Sequence, residues 1–191
     1  MKIQIGVMGS AGGRISKQAR QKAYDFGREI AEHGCVLVTG ACPGLPYEAA
    51  RGCREAGGIV VGISPALNLE EHIARYESPY EEFDVLIYTG DGLMGREVTG
   101  IRSCDIVVLI GGRSGTLGEF AIAYDEGKLI GVLQGTDGVA DHVDEIVHIV
   151  AKKTGATLIA DADPHRLMTR LLQSRRARSR RPAASVPREE G

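Results

Sequence analysis

The sequence predicts an α/β fold: a Rossmann-like, doubly wound parallel sheet in three layers, forming a single domain. Three observations carry this expectation. Short Val- and Ile-rich runs alternate with longer stretches of helical period, the order of parallel strands joined by crossover helices. Several of the runs are apolar throughout, as strands covered by helices on both faces are. The 26 glycines among 191 residues are about twice the usual share, and many fall where an apolar run ends and a helical stretch begins.

The strands expected from these runs span 3–8, 36–39, 59–63, 85–88, 106–110 and 129–133. Between the first two, Ala19, Ala23, Phe26, Ile30 and Ala31 recur at helical spacing, with Arg20, Lys22, Arg28 and Glu32 mostly on the other side, which makes an amphipathic crossover helix. Further helices are expected at 47–56, 95–102, 116–126, 141–153 and 164–173. From Ser174 the sequence turns to arginine, proline and small residues with almost nothing to bury. The domain is therefore placed at 1–173 and a disordered basic tail at 174–191.

Composition narrows the partner. A hydrophobic fraction of 43% and a charged fraction of 25% suit one ordinary globular domain, and the net charge of −2 gives no global attraction to nucleic acid or an anionic membrane surface. A small molecule is the expected partner. Cys35, Cys42, Cys53 and Cys104 form no C-x-x-C pair and have no histidine at metal-ligand spacing, so they are read as reduced thiols of a cytoplasmic protein. No metal site is expected. Met1 leads straight into a strand without the pattern of a secretory leader, and no apolar run reaches membrane-spanning length.

Three strands run into small-residue loops that open helices: Gly9-Ser10-Ala11-Gly12-Gly13, Gly40-Ala41-Cys42-Pro43-Gly44, and Gly111-Gly112-Arg113-Ser114-Gly115-Thr116. In a parallel sheet these loops share one edge, where ligands bind and where helix N-termini offer unpaired N–H groups to phosphate. No G-x-x-x-x-G-K-[ST] occurs and the first strand does not lead into G-x-G-x-x-G. Triphosphate hydrolysis and dinucleotide-dependent dehydrogenation lose their main support, and a mononucleotide fits better. Thr116-Leu117-Gly118-Glu119 also fits a capping box, in which Thr caps the helix and Glu bonds back to it. Spacing alone leaves Glu119 open between that role and a ligand. Asp91, Glu48 and Asp125 are read as solvated or capping carboxylates, and Tyr47 and Tyr88 as core residues or stacking surfaces for a base.

The segment from Gly95-Arg96-Glu97 through the strand at 106–110 to Gly111-Gly112-Arg113-Ser114-Gly115-Thr116-Leu117-Gly118-Glu119 resembles the LOG (Lonely Guy) or lysine-decarboxylase-like family of the SLOG superfamily. That family carries an Arg-Lys pair on a helix, then a strand, then P-G-G-x-G-T-x-x-E. Arg96, Asp105, Gly115, Thr116 and Glu119 fall on matching positions without a gap. The early loop Gly9-Ser10 and the loop from Gly40 to Gly44 also resemble the family's glycine loops, so the likeness reaches to about Leu133. Gly111 stands where the family has proline, Arg113 where it has the second glycine, and Glu97 where it has lysine. The stretches Cys42-Pro43-Gly44-Leu45-Pro46 and Val61-Gly62-Ile63-Ser64-Pro65-Ala66 look closer to the molybdenum cofactor carrier branch.

The resemblance implies a nucleoside 5′-monophosphate phosphoribohydrolase that breaks the N-glycosidic bond to release a base and ribose 5-phosphate, without a cofactor or metal. Arg96 and Glu119 would be its catalytic residues. Gly9, Ser10, Gly40, Gly44, Glu97, Gly111, Gly112, Arg113, Ser114, Gly115 and Thr116 would hold the substrate. The alternative is a non-catalytic carrier or sensor of a nucleotide-like ligand such as molybdenum cofactor, which the charge changes at Glu97 and Arg113 favour. Family members are commonly dimers, so a homodimer is expected.

Overall fold

Strand β1 (Gln4–Gly9) sends Ile5 and Val7 to one side of the sheet and Met8 to the other, and its neighbours do the same, so two cores form back to back. In β5 (Ile106–Ile110) the residues Ile106, Val108 and Ile110 enter the first core, and Val107 and Leu109 the second. Such strands must be apolar at every position. The computed structural model describes residues 1–179. The remaining strands are β2 (Val36–Thr39), β3 (Ile59–Ser64), β4 (Val85–Tyr88), β6 (Leu129–Leu133) and β7 (Thr157–Asp161). All seven are parallel, in the order β4-β3-β2-β1-β5-β6-β7.

The first core is roofed by α1 (Lys17–Glu32), α2 (Leu45–Glu55) and α7 (Pro164–Ser179), and the second by α4 (Gly92–Arg102), α5 (Ser114–Asp125) and α6 (Val143–Val150). Helix α1 begins at Ser16, whose side chain accepts the Ala19 N–H at 3.1 Å, a standard N-cap. It presents Ala19, Ala23, Phe26, Gly27 and Ile30 inward. Helices α1 and α2 meet backbone to backbone: a Cβ on Gly27 would stand 2.7 Å from the Ala49 carbonyl carbon, and one on Gly52 2.9 Å from that of Tyr24.

Strand β1 pairs with β2 on one side and β5 on the other. The chain winds away from β1 in one direction through β2, β3 and β4, then crosses back through α4 to β5. The carboxyl ends of β1 and β5 therefore flank a topological switch point, the usual crevice for a ligand in such sheets.

The structure departs from the sequence expectations at several elements. An edge strand, β7, and a short helix, α3 (Leu69–Ala74), are additional. The helix expected over 141–153 is a 3₁₀ turn at Gly138–His142 followed by α6, which ends at Val150. Helix α7 continues past residue 173 to Ser179, so 174–179 belong to the folded domain rather than to a tail: Arg175 pairs with Asp105 at 2.9 Å and Arg178 donates to the Gly127 carbonyl at 2.7 Å. The rest of the expected tail lies outside the described residues. All four cysteines are free. Among the described residues no helix is long and apolar enough to cross a membrane.

Candidate functional site

The switch-point crevice closes into a cavity of about 180 Å³. Its floor is the end of β1 and the loops after β1 and β2, with Gly9 and Gly40. Its walls are α4, which brings Leu93, Arg96 and Glu97, and the first turns of α5, which bring Gly115, Thr116 and Glu119. Of the residues expected to form the site, Gly9, Gly40, Arg96, Glu97, Gly115, Thr116 and Glu119 converge on one space. A larger groove of about 580 Å³ opens at the opposite edge of the sheet, around Lys2, Arg102, Asp105, Lys128 and Arg175. Three of its cations are engaged internally: Lys128 donates to the Cys104 carbonyl at 2.9 Å, Arg102 pairs with Glu126 at 2.7 Å, and Arg175 pairs with Asp105, which also accepts the Gln4 N–H at 3.0 Å. Asp105 thus braces that far edge and does not reach the crevice.

Arg96, Glu97 and Glu119 are each only 7% exposed. Burying one cation with two carboxylates is costly unless each is paired and hydrogen-bonded, yet the bonding is sparse. Arg96 Nη1 meets Glu119 Oε1 at 3.4 Å, and Arg96 Nε is buried with no hydrogen-bond partner among the described residues. Burial pushes the Glu119 carboxyl up to about 7, with Arg96 opposing the shift and Glu97 adding to it. Burial likewise raises Glu97, again opposed by Arg96. A buried, under-bonded charge cluster of this kind is poor stabilising material and good ligand-binding material.

The glycine loops divide into structural and open parts. Ser10 Oγ accepts the Gly112 N–H at 2.7 Å and Thr136 Oγ1 accepts the Gly111 N–H at 2.8 Å, while the carbonyls of Gly111 and Gly112 accept from Ala140 and Val139. Gly111 and Gly112, with φ of 63° and 113°, therefore make the turn and spend their amides inside the protein. Gly44 packs against the Ser10 carbonyl, and the Leu45 N–H donates to that carbonyl at 2.9 Å. The N-terminus of α5 is different. Its cap residue, Arg113, makes no side-chain capping bond, and Ser114 and Gly115 are exposed. The first-turn amides of α5 face outward with a partial positive charge. The exposed Arg113 side chain lies beside the first loop, its Nη1 3.5 Å from where a Cβ on Gly13 would be.

These positions also settle the capping-box alternative. Arg113, not Thr116, is the N-cap of α5, and Thr116 lies inside the first turn, 3% exposed. Glu119 bonds to Arg96 and not back to the helix start.

Other candidates fall elsewhere. Glu48 is held by Arg20 and Arg51, each at 3.0 Å, and Asp125 by Lys152 at 2.9 Å. Tyr47 packs on Phe83 with ring centroids 6.4 Å apart, and Tyr88 lies on the edge strand β4. The sequence did not single out the apolar walls, Met8, Pro46 and Leu93, because nothing local marks them. The cavity also holds Cys42, whose thiol burial pushes up to about 11. It is protonated at neutral pH and unsuited to act as a nucleophile.

Comparison with known proteins gives a consistent picture. A family model described as the SLOG cluster4 family matches residues 2–168. An uncharacterized protein of Archaeoglobus fulgidus is 35% identical over 133 residues, covering 69% of this chain and 80% of its own length. Two solved structures share the whole architecture. The molybdenum cofactor carrier protein from Chlamydomonas reinhardtii is 29% identical, with a TM-score of 0.73 over 91% of this chain and 98% of that one. The molybdenum cofactor binding protein from the phototrophic bacterium Rippkaea orientalis is 27% identical, with a TM-score of 0.74 over 91% and 97%.

Proposed function

This chain belongs to the SLOG cluster4 family, and from that premise we propose that its switch-point cavity binds a phosphate-bearing nucleotide or nucleotide-like small molecule. One observation carries the reading. Arg96 and Glu119 are buried together beside the open N-terminus of α5, and the guanidinium still has an unused donor, Nε. The ligand's anion is held by the outward amides of Arg113, Ser114, Gly115 and Thr116 and by the Arg113 guanidinium. Ser10, Gly44, Gly111 and Gly112 shape the loops that frame it. The partner is neither a nucleic acid nor a membrane.

The chemistry that fits this arrangement is hydrolysis of a nucleoside 5′-monophosphate. The bond from C1′ of the ribose to the base nitrogen breaks, a water oxygen bonds to C1′, and the water's proton leaves with the base. Glu119, ionised, stabilises the cationic sugar or takes the water's proton, as carboxylates do in glycoside hydrolysis, while Arg96 orients the ribose or phosphate. The reaction as written uses no cofactor. Incubation with AMP and other mononucleotides, followed by chromatographic detection of free base, tests it. Base release no greater than that of Glu119→Gln would rule it out.

The solved relatives favour a second reading, in which the same cavity carries its ligand without cutting it. The match to molybdenum cofactor carrier and binding proteins extends over nearly their whole length. Mass spectrometry of small molecules released from the purified protein separates the two, since a carrier retains an intact ligand and a hydrolase does not. A cytoplasmic homodimer completes the proposal. Apolar side chains left uncovered on β4 and α4, Val85, Ile87, Leu93, Met94 and Val98, support an interface there, and sedimentation of a Met94→Glu variant against the wild type checks it.

A further inference from the structure

The cavity's charges are divided in a way the fold does not require. Among the described residues Glu97 is the one buried carboxylate in it without an ion pair or a hydrogen-bond donor: burial raises its proton affinity, and the nearby charge of Arg96 opposes this. Its position is nonetheless defined. Oε2 lies 2.9 Å from where a Cβ on Gly118 would be, and Oε1 3.5 Å from that on Gly115, an ordinary contact, so the carboxylate sits along the start of α5 in a slot that glycine at 118 keeps open.

We propose that Glu97 selects the ligand's ring, its two oxygens receiving the paired N–H donors of a 2-amino-4-oxo-pyrimidine edge, the arrangement shared by guanine and by pterins. The proposal rests on the nucleotide-like reading above and specifies which end of the ligand goes where. A desolvated carboxylate with no donor among the described residues is satisfied by a ligand that brings two side by side. The walls beside it, Met8, Pro46 and Leu93, are apolar and suit a flat ring better than a hydroxylated sugar. The volume of about 180 Å³ is below the ~300 Å³ at which whole-ligand pockets begin, so part of the ligand remains outside. With two carboxylates against one guanidinium inside, and Arg113 with the open turn of α5 outside, the phosphate is the part that stays out.

Adenine places an acceptor nitrogen where this carboxylate needs a donor, and hypoxanthine offers one donor instead of two. Calorimetric titration of the full chain with GMP, IMP, AMP, ribose 5-phosphate and 6-hydroxymethylpterin tests the proposal. The wild type is expected to bind GMP about 10-fold more tightly than IMP and about 100-fold more tightly than AMP. Glu97→Gln is expected to bring the GMP to IMP ratio close to one. Gly118→Ala, whose methyl displaces Oε2, is expected to lower the same ratio. The relative affinity of GMP and 6-hydroxymethylpterin tells a guanine from a pterin ligand. Ribose 5-phosphate binding without a GMP preference, or a preference that survives in Glu97→Gln, overturns the role of Glu97 and leaves the site reading standing. If none of the five compounds binds, the site reading falls together with it.

Discussion

The guanidinium of Arg96 rests against the backbone of Gly40: a Cβ at residue 40 would stand 2.5 Å from Cζ and 2.6 Å from Nη1. The glycine that follows β2 and the arginine on α4 therefore specify one another across the crevice. The next residue, Ala41, adopts φ 51° with its N–H held by Thr39 Oγ1 at 2.9 Å, a backbone conformation that non-glycine residues adopt at a cost.

Gly40→Ala follows directly. The added methyl displaces the end of a flexible side chain rather than backbone, so the fold is retained and the melting temperature changes by only a few degrees. The guanidinium leaves its position, and nucleotide affinity falls about 10-fold or more. Thermal melts paired with calorimetric titration read both effects.

Glu119→Gln separates stability from function by pH. Because burial raises the Glu119 carboxyl to about 7, the folded state binds a proton that the unfolded state has released between its ordinary value near 4.5 and 7. Wild-type stability therefore declines as pH rises through that window, by roughly 3 kcal/mol at most, and levels off above it. The glutamine variant lacks this contribution. Denaturant melts from pH 4.5 to 8 are expected to show the wild type losing ground to the variant as pH rises. Any hydrolysis by the wild type increases through pH 7 as Glu119 ionises.

Arg113→Ala tests the outer anion site. The side chain is exposed and makes no capping bond, so stability should change by less than about 0.5 kcal/mol. Affinity for ribose 5-phosphate is expected to drop about 5- to 10-fold at low salt, with the difference shrinking as salt is added. Titrations at two ionic strengths decide it.

Gly27→Ala probes the fold away from the site. Its Cβ would overlap the Ala49 carbonyl and stand 2.7 Å from the carbonyl carbon, and neither backbone can yield without separating α1 from α2. Overpacking of this kind costs about 1–3 kcal/mol or more, in excess of the gain in helix propensity. A urea melt gives the loss in midpoint.

Legibility in the sequence followed how local each feature is. The runs at Ile106–Ile110 and Leu129–Leu133 are apolar at every position because they are covered on both faces, and their bounds could be read directly. Strand β7 is half-buried along its whole length and ends in Asp161, so its pattern resembles a loop. The segment 174–179 looks solvated because its arginines are charged. Their partners, Asp105 and the Gly127 carbonyl, lie 70 and 51 residues away in the chain, a distance no local pattern records.

The same division runs through the site. By itself the sequence determined that glycine loops end parallel strands at one edge, since strand period and turn residues are local properties, and the family resemblance drawn from it agrees with the SLOG cluster4 match. Tertiary structure decided which groups each side chain and amide meets there. Thr116-x-x-Glu119 suits a capping box or a ligand site equally, until the crossover from β4 lays α4 beside α5 and gives Glu119 the Arg96 guanidinium instead of its own helix start. Gly111 and Gly112 looked like phosphate-binding amides until Thr136 and Ser10 took them. These contacts join segments 23 to 102 residues apart, and only the packing of helices across the sheet brings them together.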